Sequence, residues 1–323
     1  MGSALTVDRV LLTDAIAPAG EELLSRRAEV VRSPDSDPAT IRHFARDADG
    51  VIIRSRLPDD IFEAAPRLRA VVVHGTGTDL VPLAAATARG VMVANLPGAN
   101  AQSVAEYCAM AMLMLARRIL PIVNALRSDS WDGARRLGAE ARELAALTLG
   151  IVGVGAIGAR LAAIARRGFG MRVLGHRRRL DRLPAEAEPA DLASLVSQSD
   201  FVVLACPLTA ETRHLFGRER IEAMKQTAWL INVGRGPVIE EAALLAALRA
   251  RRIAGAMLDV YEQYRLSPDS PLFGLDNVIL TPHLAAVTRE SRARASVAAA
   301  EEMLRMLAGE APRSFVNPEV ARR

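Results

Sequence analysis

The run Thr148-Leu149-Gly150-Ile151-Val152-Gly153-Val154-Gly155-Ala156-Ile157-Gly158 restricts the fold of this chain more than any other segment. A β-rich stretch feeds straight into G-x-G-x-x-G. Ala159 to Arg167 continues as a helix, and a second strand follows at Met171 to Leu174. In that setting each glycine has a physical reason. Gly153 permits the tight turn, Gly155 lets the backbone approach a pyrophosphate, and Gly158 lets helix and strand pack closely. The helix N-terminus, with the amides of Ala156 and Ile157, supplies donors to phosphate oxygens. The implied architecture is a parallel sheet covered by helices, with a dinucleotide at the carboxyl ends of its strands.

A second α/β series precedes this turn. Val10-Leu11-Leu12, Val51-Ile52-Ile53, Val71-Val72-Val73 and Val91-Met92-Val93 are short and bounded by turn residues, with amphipathic segments at Gly20 to Arg27, Ala39 to Arg46 and Leu83 to Ala88. Continuous apolar strands alternating with helices indicate a parallel sheet buried on both faces. Leu96-Pro97-Gly98 breaks the pattern, and Asn100 is placed to cap a long helix from Ala101 to about Ile119. After Leu147 come six strand-like runs, TLGIVGVGAIG, MRVLGH, DFVVLAC, AWLINVG, GAMLDVY and NVILTPH, and then a helix over Arg292 to Leu307. A complete α/β series ahead of a dinucleotide turn places one domain inside the other. The expected organisation is α/β with two Rossmann/flavodoxin-like domains: a substrate domain of residues 1–98 and 285–323, and an inserted dinucleotide-binding domain of residues 99–284, with a cleft between.

Composition narrows the function classes. The 323 residues are 50% hydrophobic and 24% charged, ordinary values for a globular chain of two domains. The net charge of +4 is carried almost wholly by scattered arginines, with Lys225 the only lysine, so a nucleic-acid surface is not expected. No apolar run reaches membrane-spanning length, and MGSALTVDR lacks the basic start and apolar centre of a secretory signal. Cys108 and Cys206 lie in apolar segments and read as buried thiols, which suits a cytoplasmic protein. The five histidines show no metal-ligand spacing, and no metal is expected.

The end of the second strand of the dinucleotide unit departs from the NAD pattern. A carboxylate for the adenosine ribose is expected about 20 residues after the turn, yet the chain reads Gly175-His176-Arg177-Arg178-Arg179. Guanidinium groups match phosphate geometry bidentately. NADP(H) is therefore the expected cofactor, with NAD(H) the secondary one. Two further residues sit where open α/β sheets hold ligands. Arg235, between Gly234 and Gly236, and His283, after Pro282, both end strand-like runs. One suits a carboxylate or carbonyl, the other a proton exchange.

In order, HGTGTDL, NLPGANAQSVAEY, TLGIVGVGAIG, CPLTAETRHL, INVGRG, GAMLDVYE and NVILTPH resemble the D-isomer specific 2-hydroxyacid dehydrogenase family, from about Val7 to about Val316. The likeness is to its short, glyoxylate/hydroxypyruvate reductase-like form without a C-terminal regulatory domain. The resemblance implies that Arg235 binds and polarises a 2-oxo acid and that His283 exchanges the proton. It implies a substrate carboxylate held by amides around Gly75, Thr76 and Gly77, with Arg54 lining the substrate side. On the cofactor side it implies His176, Arg177, Arg178, Cys206, Pro207, Thr212, Val233, Gly234 and Asp259, the last facing the nicotinamide carboxamide. It also implies a homodimer built through the Ala101 to Ile119 helix.

One departure stands out. The family reads D-V-F-x-x-E-P, and that Glu pairs with the histidine; this chain reads Asp259-Val260-Tyr261-Glu262-Gln263-Tyr264-Arg265, which puts Tyr264 at the Glu position. A phenol carries no charge near neutral pH and stabilises an imidazolium less than a carboxylate does. Three readings stay open: an uncharged partner for His283, a local bulge that brings Glu262 to it, or a Tyr264 that touches substrate. The leading function is NAD(P)H-dependent reduction of a small 2-oxo acid. The alternative is a dinucleotide-binding, redox-responsive regulator with little turnover. The substrate side chain is not readable, although His74 and Arg265 are compatible with a second acidic group.

Overall fold

The computed structural model describes residues 7–128 and 130–322. The opening MGSALT lies outside the described residues, as does any reading of it as a leader. Two compact units are present, one of Met1–Asn100 with Val287–Arg323 and one of Ala101–Ala286. Each is a parallel α/β sheet, so the fold class is as the strand and helix patterning requires.

The first unit carries β1 (Asp8–Leu12), β2 (Ala28–Arg32), β3 (Gly50–Ile53), β4 (Ala70–Val73) and β5 (Met92–Ala94), in the order β2-β1-β3-β4-β5 with every pair parallel. Strands β3 and β4 are buried throughout, which explains their unbroken β-branched composition. β2 escaped the sequence reading because its pattern, Ala-Glu-Val-Val-Arg, is that of a half-exposed edge. β5 runs one residue later than Val91 to Val93, ending at Ala94, which bridges to Phe315. The final helix starts at Arg289, three residues earlier than Arg292, because Thr288 caps it by accepting the Ser291 amide at 3.1 Å. Its apolar face, including Ala299, Met303 and Met306, covers one side of this sheet at Ile52, together with Leu24.

The second unit holds β6 (Thr148–Val152), β7 (Arg172–His176), β8 (Glu188–Pro189), β9 (Phe201–Leu204), β10 (Trp229–Asn232), β11 (Gly255–Leu258) and β12 (Val278–Leu280). Their order, β12-β11-β10-β9-β6-β7-β8, reverses direction at the β6–β9 pair, the topological switch point of a doubly wound sheet. β8 is a two-residue edge with no periodicity to read. Helix Ala156–Ala163 begins directly after Gly155, earlier than Ala159, and passes into a π-turn over Ile164–Gly168.

The helix expected over Ala101 to Ile119 ends at Ala116. Arg118 has φ +53°, a left-handed backbone that no α-helix continues through, and a separate helix occupies Ile119–Ser128. Asn100 Oδ1 accepts no hydrogen bond among the described residues, so the expected cap is not made. Ala101–Ala116 is buried along most of its length, chiefly against helix Ala156–Ala163 and also against β10. Among the described residues no single helix is long and apolar enough to cross a membrane; this helix and Ile119–Ser128 reach that composition only together, bent by 54°.

Candidate active site

Most of the sequence-predicted chemistry of the second unit lies along one edge, the carboxyl ends of β6, β9, β10, β11 and β12. At the β6 end the three glycines are used differently. Gly153 has φ +96°, and a side chain there would strike the Cys206 amide at 2.5 Å. Gly158 is pressed against the Gly153 carbonyl, where a Cβ would sit at 2.9 Å. Around Gly155, by contrast, the Cβ direction is open for 4 Å. The amides of Ala156 and Ile157, which open the helix, donate to no protein acceptor among the described residues. Open space above free amides at a helix N-terminus suits a pyrophosphate.

The β7 end supplies His176, whose Nδ1–H donates to the Ala190 carbonyl at 3.0 Å, and Arg177, which donates to the Arg182 carbonyl at 2.8 Å. Arg178 and Arg179 are exposed. At the β9 end, Pro207 accepts the Thr212 hydroxyl at 2.7 Å and Thr212 accepts the Thr209 amide at 2.7 Å, which closes the turn carrying Cys206. Burial pushes the Cys206 thiol up to about 11 and the Cys108 thiol higher, so both stay protonated.

β10 leads through Val233 and Gly234 to Arg235, whose guanidinium donates to the Gly234 carbonyl at 2.8 Å. Asn232, fully buried, holds this turn by accepting the Gly234 amide and donating to the Arg235 carbonyl, each at 3.1 Å. Gly236 lies flat on the neighbouring segment, where a Cβ would fall 1.6 Å from the Tyr261 carbonyl oxygen. His283 follows β12 at φ +54°, and its amide donates to the carbonyls of Asp259 and Thr281, each at 3.0 Å.

Asp259, at the end of β11, is 1% exposed. Its carboxylate accepts the Thr281 hydroxyl at 2.7 Å, the Leu284 amide at 2.8 Å and the Ala285 amide at 2.9 Å. Three of about four acceptor positions thus clamp the loop that carries His283. A nicotinamide contact, expected from the sequence, is left at most one. Tyr261 braces the same loop through a 2.8 Å hydrogen bond to the Thr281 carbonyl, and Tyr107 meets the Thr281 hydroxyl at 2.5 Å. Burial and the Asp259 charge push the Tyr261 phenol up to about 12. Tyr107 and Tyr261 escaped the sequence reading because nothing local links them to a histidine far along the chain.

Tyr264 is 64% exposed and its ring stands edge-on to His283, centroids 6.0 Å apart. Glu262 Oε1 lies 3.3 Å from His214 Nε2, so that carboxylate is engaged elsewhere than in the reading that brings it to His283. Arg265 is exposed.

In the first unit, Arg54 follows β3, and His74 to Gly77 follow β4. The Gly75 amide turns back onto Val73 at 2.7 Å and the Gly75 carbonyl accepts the Leu96 amide at 2.8 Å. The Asn95 amide group donates to the Thr76 carbonyl at 2.7 Å. The amides of Thr76 and Gly77 donate to nothing among the described residues. Two free adjacent amides on a braced turn form an anion-binding concavity. Among the described residues no His, Cys, Asp and Glu group could hold a metal ion.

Residues 109–285 match the model of the D-isomer specific 2-hydroxyacid dehydrogenase, NAD binding domain. A glyoxylate reductase of Aeropyrum pernix is 37% identical over 97% of both chains. A crystal structure of a Thermus thermophilus protein superposes with a TM-score of 0.86 at 34% identity, covering 95% of this chain and 99% of that one. An NADPH-dependent glyoxylate/hydroxypyruvate reductase of Sinorhizobium meliloti, solved with NADP and malonate, gives 0.83 at 28% identity over 98% of each. The chain belongs to the D-isomer specific 2-hydroxyacid dehydrogenase family and is an oxidoreductase with a nicotinamide dinucleotide cofactor.

Proposed function

We propose that this enzyme reduces a small 2-oxo acid to the D-2-hydroxy acid with NADPH in preference to NADH. The observation that carries the reading is the carboxyl edge of the second unit's sheet, which presents the open turn at Gly155, Arg235 and a tightly braced His283 together. Gly153, Gly155, Ala156, Ile157 and Gly158 would hold the pyrophosphate, and the cofactor supplies the hydride when bound. Arg235 orients and polarises the 2-oxo group, the Thr76 and Gly77 amides take the carboxylate, and His283 gives the proton to the oxygen. Arg177, Arg178 and Arg179 favour a 2′-phosphate, and the Sinorhizobium relative is itself NADPH-dependent.

Tyr264 stands against His283 as an uncharged neighbour, so the reductive rate should fade as pH rises. A homodimer through the region from Ala101 to Ile119 belongs to the same proposal, and Met110, Leu113 and Ile119 there are 40%, 40% and 42% exposed. Initial rates with glyoxylate and hydroxypyruvate, for both cofactors from pH 5 to 8, test the reading. Faster NADPH oxidation at the acidic end supports it. Cofactor binding without oxidation of either substrate replaces it with a non-catalytic dinucleotide-binding role, and sedimentation as a monomer removes the dimer.

A further inference from the structure

The carboxyl edge of the first unit's sheet holds more positive charge than one carboxylate requires. β3 and β4 pair in register through Ile53 and Val73, and the His74 amide continues the ladder to the Ile53 carbonyl at 2.9 Å, so Arg54 stands beside His74. The Arg54 amide donates to Thr13 Oγ1 at 3.1 Å and its guanidinium to the Ala15 carbonyl at 3.2 Å, which ties it to the loop after β1. That loop returns to the last helix, where the Ala17 amide donates to Ser296 Oγ at 2.8 Å. Ser296 Oγ also lies 2.8 Å from His74 Nε2. Arg292 is one turn ahead of Ser296 on the same helix face, and its charge acts on the His74 imidazole.

Among the described residues neither arginine pairs with a carboxylate. Among the described residues Arg292 makes no side-chain hydrogen bond or ion pair, and Arg54 makes only the bond to Ala15. Asp14, the acid of the adjoining loop, is met by the Thr13 hydroxyl at 3.3 Å rather than by a guanidinium. Both arginines are half-buried. Half-buried charges left without counter-charge are costly, and an arriving anion removes the cost. His74 adds no charge. Burial first, then Arg54 and Arg292, lower it to about 4, so at neutral pH it is an uncharged imidazole fixed by Ser296. The two guanidiniums therefore add positive charge beyond the Thr76 and Gly77 amides proposed above for the carboxylate common to every 2-oxo acid.

We propose that Arg54 and Arg292, set beside His74, form a subsite for a second anionic group, so that the substrate class is a 2-oxo acid bearing a carboxylate or phosphate at its far end. This rests on the reductase reading above. The test compares kcat/KM for oxaloacetate, 2-oxoglutarate and 3-phosphohydroxypyruvate with that for glyoxylate and hydroxypyruvate. At least a tenfold preference for one acid-tailed substrate is expected, and which one leads distinguishes carboxylate from phosphate. In Arg292→Gln the ratio of acid-tailed to neutral kcat/KM should fall at least 30-fold, and Arg292→Lys should recover part of it. Equal use of both classes, or a ratio unchanged in Arg292→Gln, overturns the subsite. Calorimetry of succinate against propionate on the full chain separates the two failures. Tenfold tighter succinate binding in an enzyme without turnover keeps the subsite and removes the reductase reading, whereas equal binding removes the subsite.

Discussion

Replacing Asp259 by Asn should loosen the loop that carries His283 without changing side-chain volume. The carboxylate takes the Thr281 hydroxyl and Leu284 amide on Oδ1 and the Ala285 amide on Oδ2. An asparagine that keeps the first two must turn its NH2 toward the Ala285 N–H, so one charge-assisted bond is lost and two donors face each other in a site 1% exposed. A hydrogen bond to a charged group contributes about 1.5–3 kcal/mol, and an unsatisfied buried donor costs about 1–3 kcal/mol. A local destabilisation of about 3 kcal/mol corresponds to roughly a hundredfold faster exchange of the Leu284 and Ala285 amides. His283 holds φ +54° only while this clamp and its amide bonds to Asp259 and Thr281 persist, so kcat should fall by about a hundredfold as well. Amide exchange by mass spectrometry and steady-state rates read the two effects. Unchanged exchange at 284–285 together with kcat within twofold of the parent would refute the clamp.

Gly236→Ala places a Cβ 1.6 Å from the Tyr261 carbonyl, so the Arg235 turn must move; kcat/KM should drop at least a hundredfold, and near-parental kinetics would contradict that packing. Tyr264→Glu sets a carboxylate beside the His283 ring and should raise the reductive rate near pH 7.5 several-fold, with a fall counting against an uncharged neighbour there. His74 has its pKa lowered from 6.5 to about 4, so between those pH values the unfolded chain binds a proton that the folded chain refuses. Its contribution is present above pH 6.5 and is lost as pH falls toward 4, by up to about 3 kcal/mol. Urea midpoints of the parent and His74→Gln should therefore converge in slope above pH 6.5 and diverge below it, and parallel curves throughout would exclude the effect.

The strands and the dinucleotide turn were readable because they depend on local pattern. A buried parallel strand must be a continuous apolar run, and G-x-G-x-x-G between strand and helix has few other uses. What failed to show was set by tertiary context. β2 looks like loop because it is an exposed edge, and the helix break at Arg118 has no glycine or proline at that residue to announce it. Asp259 reads in sequence as a cofactor contact, and nothing local announces that its carboxylate also holds residues 281–285, more than 20 positions away. The Arg54–His74–Arg292 cluster joins residues separated by over 200 positions, which no local motif encodes. Glu262 is a further case, because only the geometry shows it paired with His214.

His283 is proposed to exchange the proton at a nicotinamide-dependent site. Stopped-flow oxidation of NADPH by hydroxypyruvate in the parent and in His283→Gln, with cofactor affinity measured by fluorescence on the same samples, tests it most directly. NADPH dissociation constants should lie within about threefold of each other, with oxidation at least a thousandfold slower in the variant. Oxidation at the parental rate by His283→Gln, or a parent that binds NADPH and oxidises none, would contradict it.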